Sequence, residues 1–398
     1  MKRTPIAIVL ASALALAGCA SHSTEVSSAA PSSLWDSDAV HDISVEIADA
    51  DYDALIAAYV ADASKIWVTA TVTIDGATLE NVGLKLKGNS TLRGTSTESD
   101  PSELPWLIRL DKYVDGQSYD GETELVVRAN NSETALNEAV ALELLGLAGL
   151  ATEQAVASRF TVNGSDTELA LVMQSLDDDW VSAEFDDDGL LYKAEAGGDY
   201  SYRGDDPDDY VDVFDQEAGA DDLAPLTAFL EFINDSDDAT FAAELSQHLD
   251  VDAFATYLAF QTLVDNYDDI DGPGNNSYLH YDTETGLMTV VNWDLNLTFG
   301  TTNRPAGGVP QGGGRPAGGG GPGGPSEGNV LAERFLANDE FAALYDTKTA
   351  ELTQVLFGSG AADEVLDRWV DVLSANAADL VDKATIEAEA NDIRAYFS

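Results

Sequence analysis

Cysteine, histidine and positive charge are all scarce in this chain. Its 398 residues include one Cys, four His and 19 Lys or Arg. A single cysteine has no partner for a disulfide, and four histidines without ligand spacing give no zinc site. The 19 basic residues face 72 acidic ones, for a formal net charge of −53. Such a field repels phosphate backbones, so nucleic acid is disfavoured as a partner, whereas divalent ions and basic polypeptides are favoured. Many of these acids can equally serve solubility in a salty habitat. Long apolar runs are missing too: after the first 18 residues nothing approaches the ~20 apolar residues of a membrane helix. There is no Gly-x-Ser-x-Gly elbow, no Walker-type loop and no internal repeat.

The first residues carry an address. Lys2 and Arg3 precede the apolar stretch "IAIVLASALALAG", which is of signal-peptide length. It ends in "LAGC", residues 16–19, the lipobox pattern of bacterial lipoproteins. The expectation is a signal peptide over 1–18, lipid attachment at Cys19, a polar tether over 19–33, and a mature protein anchored to the outside of the cell membrane.

From residue 34 the pattern is mixed. "VHDISVEI", "IWVTATVTIDG" and "LENVGLKLKG" alternate like strands, the last two meeting at an Asp-Gly turn. "DADYDALIAAYV" reads as a helix opening on Asp. "PWLIRLDKY" and "ETELVVRAN" are further strands. Residues 132–148, "SETALNEAVALELLGLA", form the clearest helix, with Ser132 as N-cap and Leu136, Val140, Leu144 and Leu147 on one face. "ASRFTVNGSDTELALVMQSL" is a hairpin turning at Asn163-Gly164, and "DGLLYKAEAGGDYSYRGDD" reads as another. Residues 223–265 and the chain beyond 329 read as helical. Between them, 304–328 is a Gly/Pro-rich insertion containing Arg304 and Arg315, without the means to build a core.

Chemistry concentrates in "DNYDDIDGPGNNSYLHYDTETGLMTVVNWDLNLTFG", residues 265–300. Asp268 follows a helix, Asn275 and Asn276 lie in a Gly/Pro turn, and two strands turn at Thr285-Gly286. Asp294 and Asn296 leave the second strand. A hairpin brings its ends together, so Asn276 and Asp294 become neighbours and Asp268 joins them. These are hard oxygen ligands with room for phosphate and water, the usual surroundings of Mg²⁺. Protein kinases use the same order: a catalytic Asp, an Asn metal ligand, a short hairpin, then a second Asp before Phe-Gly. Turns in general are also made of Asp, Asn and Gly.

The blocks "NYDD", "NNSYLHYD" and "NWDLNLTFG" together resemble the signature of the spore coat protein H (CotH) kinase family. "VGLKLKGNST", "NNSETALNEAVALELL", "DGLLYKAE" and "NVLAERFLANDEFAALY" follow its pattern in order, so the resemblance spans roughly residues 40–380. It implies an α+β, atypical protein-kinase-like fold of two lobes, the first strand-rich with one main helix and the second helical. The implied activity is transfer of the ATP γ-phosphoryl group to protein Ser or Thr with Mg²⁺ or Mn²⁺. Asp268 is then the catalytic-loop aspartate and Asp294 the metal-binding one. Asn276 completes the metal shell, with Asn296 as second choice. Lys87 or Arg109 would hold phosphates, and Glu138 would be the helix partner of such a cation. Ser277, His280 and Asn292 depart from the family pattern without touching an implied ligand, whereas Asp269 and Asp271 leave the choice of catalytic carboxylate open.

Two other readings compete. "EFDDDGLLYKAE" places Glu184, Asp186, Asp188, Gly189 and Glu195 at EF-hand loop positions, although position 1 should be Asp. A lipid-anchored acidic protein can also be a catalytically silent scaffold on a kinase-like fold. Retention of Asp268, Asn276 and Asp294 weighs toward the enzyme. Under the enzymatic reading the acidic field favours basic, Ser-rich acceptor proteins.

Overall fold

A computed structural model describes residues 33–185, 189–195, 198–266, 268–270, 276–301 and 329–397. Cys19, Asp186, Asp188, Asp271, Asn275 and the Gly/Pro insertion with its two arginines lie outside them. The architecture is mixed α+β, as expected.

The first half closes on itself. Its elements are β1 (Val40–Ile47), α1 (Asp49–Asp62), β2 (Val68–Ile74), β3 (Ala77–Leu86), β4 (Trp106–Arg109), β5 (Glu124–Val127), α2 (Leu136–Leu147), β6 (Ala155–Val162) and β7 (Glu168–Gln174). The strands form a barrel in the order β1-β2-β3-β4-β5-β7-β6, closed by the parallel pairing of β6 with β1. Closure leaves no open edge among these strands. The two-residue periodicity explains the filling. Val45, Val72, Leu84, Ile108, Val127 and Phe160 point inward as one apolar core, while Lys85 and Arg109 alternate outward. Asp75 and Gly76 join β2 to β3 with φ of +48° and +84°, as a tight hairpin turn requires.

The second half is built on a small sheet. Its elements are α3 (Asp178–Phe185), β8 (Leu190–Ala194), β9 (Phe214–Ala218), α4 (Ala224–Asp235), α5 (Asp238–Glu244), α6 (Val251–Leu263), β10 (Ser277–Tyr281) and β11 (Met288–Asn292). Then come α7 (Val330–Ala337), α8 (Asp339–Leu352), α9 (Ala361–Asn376) and α10 (Lys383–Arg394). The sheet order is β11-β10-β8-β9. Leu279, Met288 and Val290 face a core with α4, α6 and α7; Tyr278, Val291 and Trp293 face Trp180 of α3. No helix among the described residues is long and apolar enough to cross a membrane.

Three local expectations change. The strand pairing with β8 is β9 at 214–218, well beyond the stretch read as a hairpin. The predicted α2 begins at Leu136 after Ala135 in a left-handed conformation; Ser132 Oγ instead accepts the Ala135 N–H at 3.0 Å, one turn early. The barrel's closure was not expected, because the β1–β6 pair is parallel and joins residues more than a hundred positions apart.

α2 is the hinge of the arrangement. Leu136, Val140 and Leu144 pack against outward-facing Val126, Leu171 and Met173 of the barrel and against Leu366 and Trp369 of α9. This positions Glu138, in the first turn of α2, beside the end of β5.

Candidate active site

The hairpin β10–β11 sets the geometry. Ser277 pairs with Asn292, so Asn276 and Trp293 leave the sheet side by side. Asn276 Nδ2 donates to Asp268 Oδ2 at 2.7 Å, which leaves its Oδ1 available to a cation. Asp294 adopts φ +64°, an unusual conformation for a residue with a Cβ. Burial, and then the charge of Asp294, push the Asp268 carboxyl up to about 6 against the Asn276 hydrogen bond. Asp268, Asn276 and Asp294 therefore form one group, as the sequence predicts. Asn296 lies next to it, its main-chain carbonyl accepting from Asn137 Nδ2 of α2 at 2.6 Å.

The partner of Glu138 is a residue that sequence reasoning missed. Arg128, just past β5, donates from Nε to Glu138 Oε2 at 3.0 Å, its Nη2 lies 2.8 Å from Glu138 Oε1, and the same nitrogen bonds Asp294. Burial works against the guanidinium charge, but Asp294 and Glu138 outweigh it and hold the group charged. Glu138 is pushed upward by burial, opposed by Arg128. The available signal was an arginine closing an apolar strand, "ELVVRAN", one loop before the helix that carries Glu138.

Lys87 and Arg109 part company. Lys87 is half-buried, with its ammonium 5.3 Å from the Trp293 ring centroid; the Arg128 guanidinium lies 5.9 Å from the same centroid. Burial, then the neighbouring Lys193 charge, bring Lys87 down to about 8. Arg109 instead binds Asp111 at 2.9 Å on the outer barrel surface, at the end of β4 remote from Arg128. The structure does not bring it into the group. Lys193, from "GLLYKAE", is a cation near Lys87 that sequence reasoning did not single out. It lies within the field of Lys87 and pairs with Glu195 at 2.5 Å and Glu217 at 3.7 Å. Lys65 and Lys85 feel the same field, and Lys85 and Lys112 lie over the Trp67 ring at 4.6 and 4.8 Å. In a chain of net charge −53 this concentration of like charge raises its own cost unless an anion joins it.

Three amides anchor the Asp268 loop. The Asp268 main-chain N–H donates to Asn266 Oδ1 at 3.3 Å, Asn266 Nδ2 to Gln261 Oε1 at 2.9 Å, and Gln261 Nε2 to Asn292 Oδ1 at 2.6 Å. All three are buried. Glu153 is a buried acid that sequence reasoning missed. Among the described residues neither of its carboxyl oxygens has a hydrogen-bond partner, and burial, then the Glu138 charge among others, push it up to about 8.

The donor set fits a divalent cation bound with phosphate. Asp268, Asn276 and Asp294 offer hard oxygens, and the Asp294 charge disfavours ionisation of Asp268. Among the described residues no three His, Cys, Asp or Glu side chains gather to hold a metal unaided. In the EF-hand-like stretch, Asp186 and Asp188 lie outside the described residues, and Glu195 is engaged by Lys193.

Comparison with known proteins agrees with the residue pattern. The family model CotH kinase protein matches residues 84–389; the chain belongs to that family and is kinase-like. Over 191 residues it is 24% identical to inner spore coat protein H of Bacillus subtilis (strain 168), covering 46% of this chain. That alignment spans 52% of the relative, about half its length. Among solved structures, that of the Helicobacter pylori proinflammatory kinase CtkA aligns over 70% of this chain and 88% of its own, with 8% identity and a TM-score of 0.32.

Proposed function

We propose that the chain is an atypical protein kinase with a two-lobed arrangement, held at the outer face of the membrane by a lipid on Cys19. It transfers the γ-phosphoryl group of ATP to Ser or Thr of an acceptor protein. The observation that carries this reading is the hydrogen-bonded Asp268–Asn276 pair set against Asp294 at the mouth of one hairpin.

Each residue has a definite task in it. Asp268, raised to about 6, is suited to take the hydroxyl proton as the acceptor oxygen forms its bond to the γ-phosphorus. The bond from that phosphorus to the β–γ bridging oxygen breaks, and ADP leaves. Lys87 and Lys193 supply positive charge for the phosphates, and Lys87 gains most, because an anion relieves its repulsion from Lys193. Asp294 and Asn276, with Asn296 nearby, would hold Mg²⁺ or Mn²⁺. When bound, the ion supplies neutralisation of phosphate charge. Arg128, fixed by Glu138, holds the Asp294 carboxylate in place. The strongly acidic chain favours basic, Ser-rich acceptors through steering.

One observation favours a silent scaffold instead: Arg128 already occupies one oxygen of Asp294. Incubation of the purified chain with γ-labelled ATP and Mg²⁺ or Mn²⁺ separates the two. The kinase reading expects metal-dependent label that Asp294→Ala abolishes together with nucleotide binding. Asp268→Ala is expected to keep much of the binding and lose transfer. No label and no metal-dependent ATP binding by calorimetry would leave the scaffold.

A further inference from the structure

A group of cations lies outside the carboxylate site, on the outer face of the barrel. Trp67 precedes β2 and falls opposite Lys85 of β3, one position past the Val68–Leu84 pair. The Lys85 and Lys112 ammoniums lie 4.6 and 4.8 Å from its ring centroid. Gly83 is the floor of this arrangement. A Cβ there would meet Lys112 Cβ at 2.5 Å and Trp67 Cε3 at 3.2 Å, so the missing side chain lets both pack onto the strand. Lys65 joins them from the segment before β2. It is exposed, as is Lys112, and Lys85 is half-buried. Lys65 feels the charges of both Lys193 and Lys85.

What holds these lysines leaves their charge free. Elsewhere in the chain cations pair with carboxylates, as Arg128, Arg159 and Arg368 do. Among the described residues Lys65, Lys85, Lys87 and Lys112 form no such ion pair. The acids acting on Lys65 and Lys87 are Glu195, Glu217 and Glu124, and each already pairs with Lys193 or Arg109. A π face positions an ammonium without neutralising it. In a chain of net charge −53, unpaired lysines gathered in this way mark a place for an anion.

The layout selects among anions. Lys85 and Lys87 leave the same face of the strand two residues apart, about 7 Å. The row therefore runs from exposed Lys112 to Lys87, which is half-buried against Trp293. A flat membrane touches the exposed end of such a row and not its half-buried end. An extended polypeptide carrying phosphate follows it from one end to the other.

We propose that Lys65, Lys85 and Lys112 around Trp67 bind a phosphoserine already present on the acceptor polypeptide, a few residues from the serine that receives the next phosphoryl group. The choice of occupant rests on the kinase reading, whereas the anion site does not. A singly phosphorylated acceptor is then a better ligand than an unmodified one, and a Ser-rich segment is modified in succession.

The test is binding to the full chain, read calorimetrically at low salt without ATP or metal. The probes are acetyl-Lys-Ser-Arg-Ser-Lys-amide and the same peptide with phosphate on one serine. Phosphate removes positive charge, so the acidic field of the chain favours the unmodified peptide, and preference for the phosphorylated one requires a local cation site. A preference of about tenfold is expected. Lys85→Gln combined with Lys112→Gln should abolish it, and Lys383→Gln, at an exposed position of α10, should not. Equal or weaker binding of the phosphopeptide overturns the inference, as does a preference that survives the double variant.

Two further arms identify other sources of the anion. Loss of ATP–Mg²⁺ affinity in the double variant, without phosphopeptide preference, would assign the lysines to the nucleotide. Binding to phosphatidylglycerol vesicles that needs Lys85 and Lys112, again without that preference, would assign them to a membrane. Either result overturns the acceptor assignment. Transfer is read separately with γ-labelled ATP. Label on both peptides without selective binding leaves the kinase reading and removes this one. Selective binding without label supports the phosphate site and counts against the kinase reading.

Discussion

The barrel and the segment from Asp265 to Phe299 are stabilised in opposite ways. In the barrel, main-chain groups are paired around a closed ring of strands and the interior is apolar. Two of its hairpin turns take positive φ at Asp75 and Asn163, residue types that tolerate it. In the site segment Phe299 has φ +55°, Asp294 shares Arg128 with Glu138 of α2, and the buried Asn292 amide nitrogen has no partner among the described residues. Strain and desolvated charge of this kind persist only where the surroundings hold them. The barrel is stabilised by burying what water rejects, whereas the site is stabilised by a few directional contacts, each costly to lose.

The sharpest way to break that comparison is one deletion in each region. Arg128→Ala strands Glu138 and Asp294 together in a buried place, and loss of one partner from such a group costs about 3–5 kcal/mol. Leu84→Ala in the barrel leaves a cavity and costs a similar 2–5 kcal/mol. The two differ in rescue. Adding Glu138→Gln to Arg128→Ala removes a stranded charge and should recover stability in urea unfolding, whereas Glu138→Gln added to Leu84→Ala should not. If Arg128→Ala unfolds within ~1 kcal/mol of the wild type, the ionic account of the site fails.

What the sequence revealed divides along the same line. Period-two alternation made the strands from Val40 to Gln174 readable, and Asn163-Gly164 marked its turn, because both signals are local. The parallel β1–β6 pair that closes the ring depends on distant contacts and left no local mark. In the site, Asp268, Asn276 and Asp294 were legible because one short hairpin joins them. Arg128 and Glu153 were not, since they arrive from separate loops and only packing brings them to Glu138. Arg109 and Lys193 show the same limit. Both sit at or near strand ends, and whether such a cation meets the site depends on which end of its strand it occupies.

Glu153 sharpens the contrast through pH. Its ordinary value is 4.5 and burial raises it to about 8, so the folded state holds a proton that the unfolded chain releases. Stability on its account is therefore full below about 4.5 and is lost as pH rises toward 8. One proton corresponds to about 1.4 kcal/mol per pH unit, or on the order of 3 kcal/mol by pH 7. Glu153→Gln should flatten that slope and raise the melting temperature at pH 7 and above, while leaving it little changed at pH 4. An unaltered slope in the variant would mean that Glu153 is ionised in the folded protein.

The smallest of these effects tests whether the amide series positions Asp268 or only fills space. Gln261→Leu leaves Asn266 without its acceptor and Asn292 without its donor, a loss of about 1–3 kcal/mol. Gln261→Glu is the discriminating change. Its carboxylate still accepts from Asn266 Nδ2, and Asn292 can rotate its amide so that the unpartnered Nδ2 now donates to it. The series is then complete with one residue reversed, at the expense of a buried charge. Fast exchange at the Asp268 amide in Gln261→Leu, with near-native exchange in Gln261→Glu, is the expected pattern. A filler role predicts the opposite order, because leucine fits an apolar space better than a charged glutamate does.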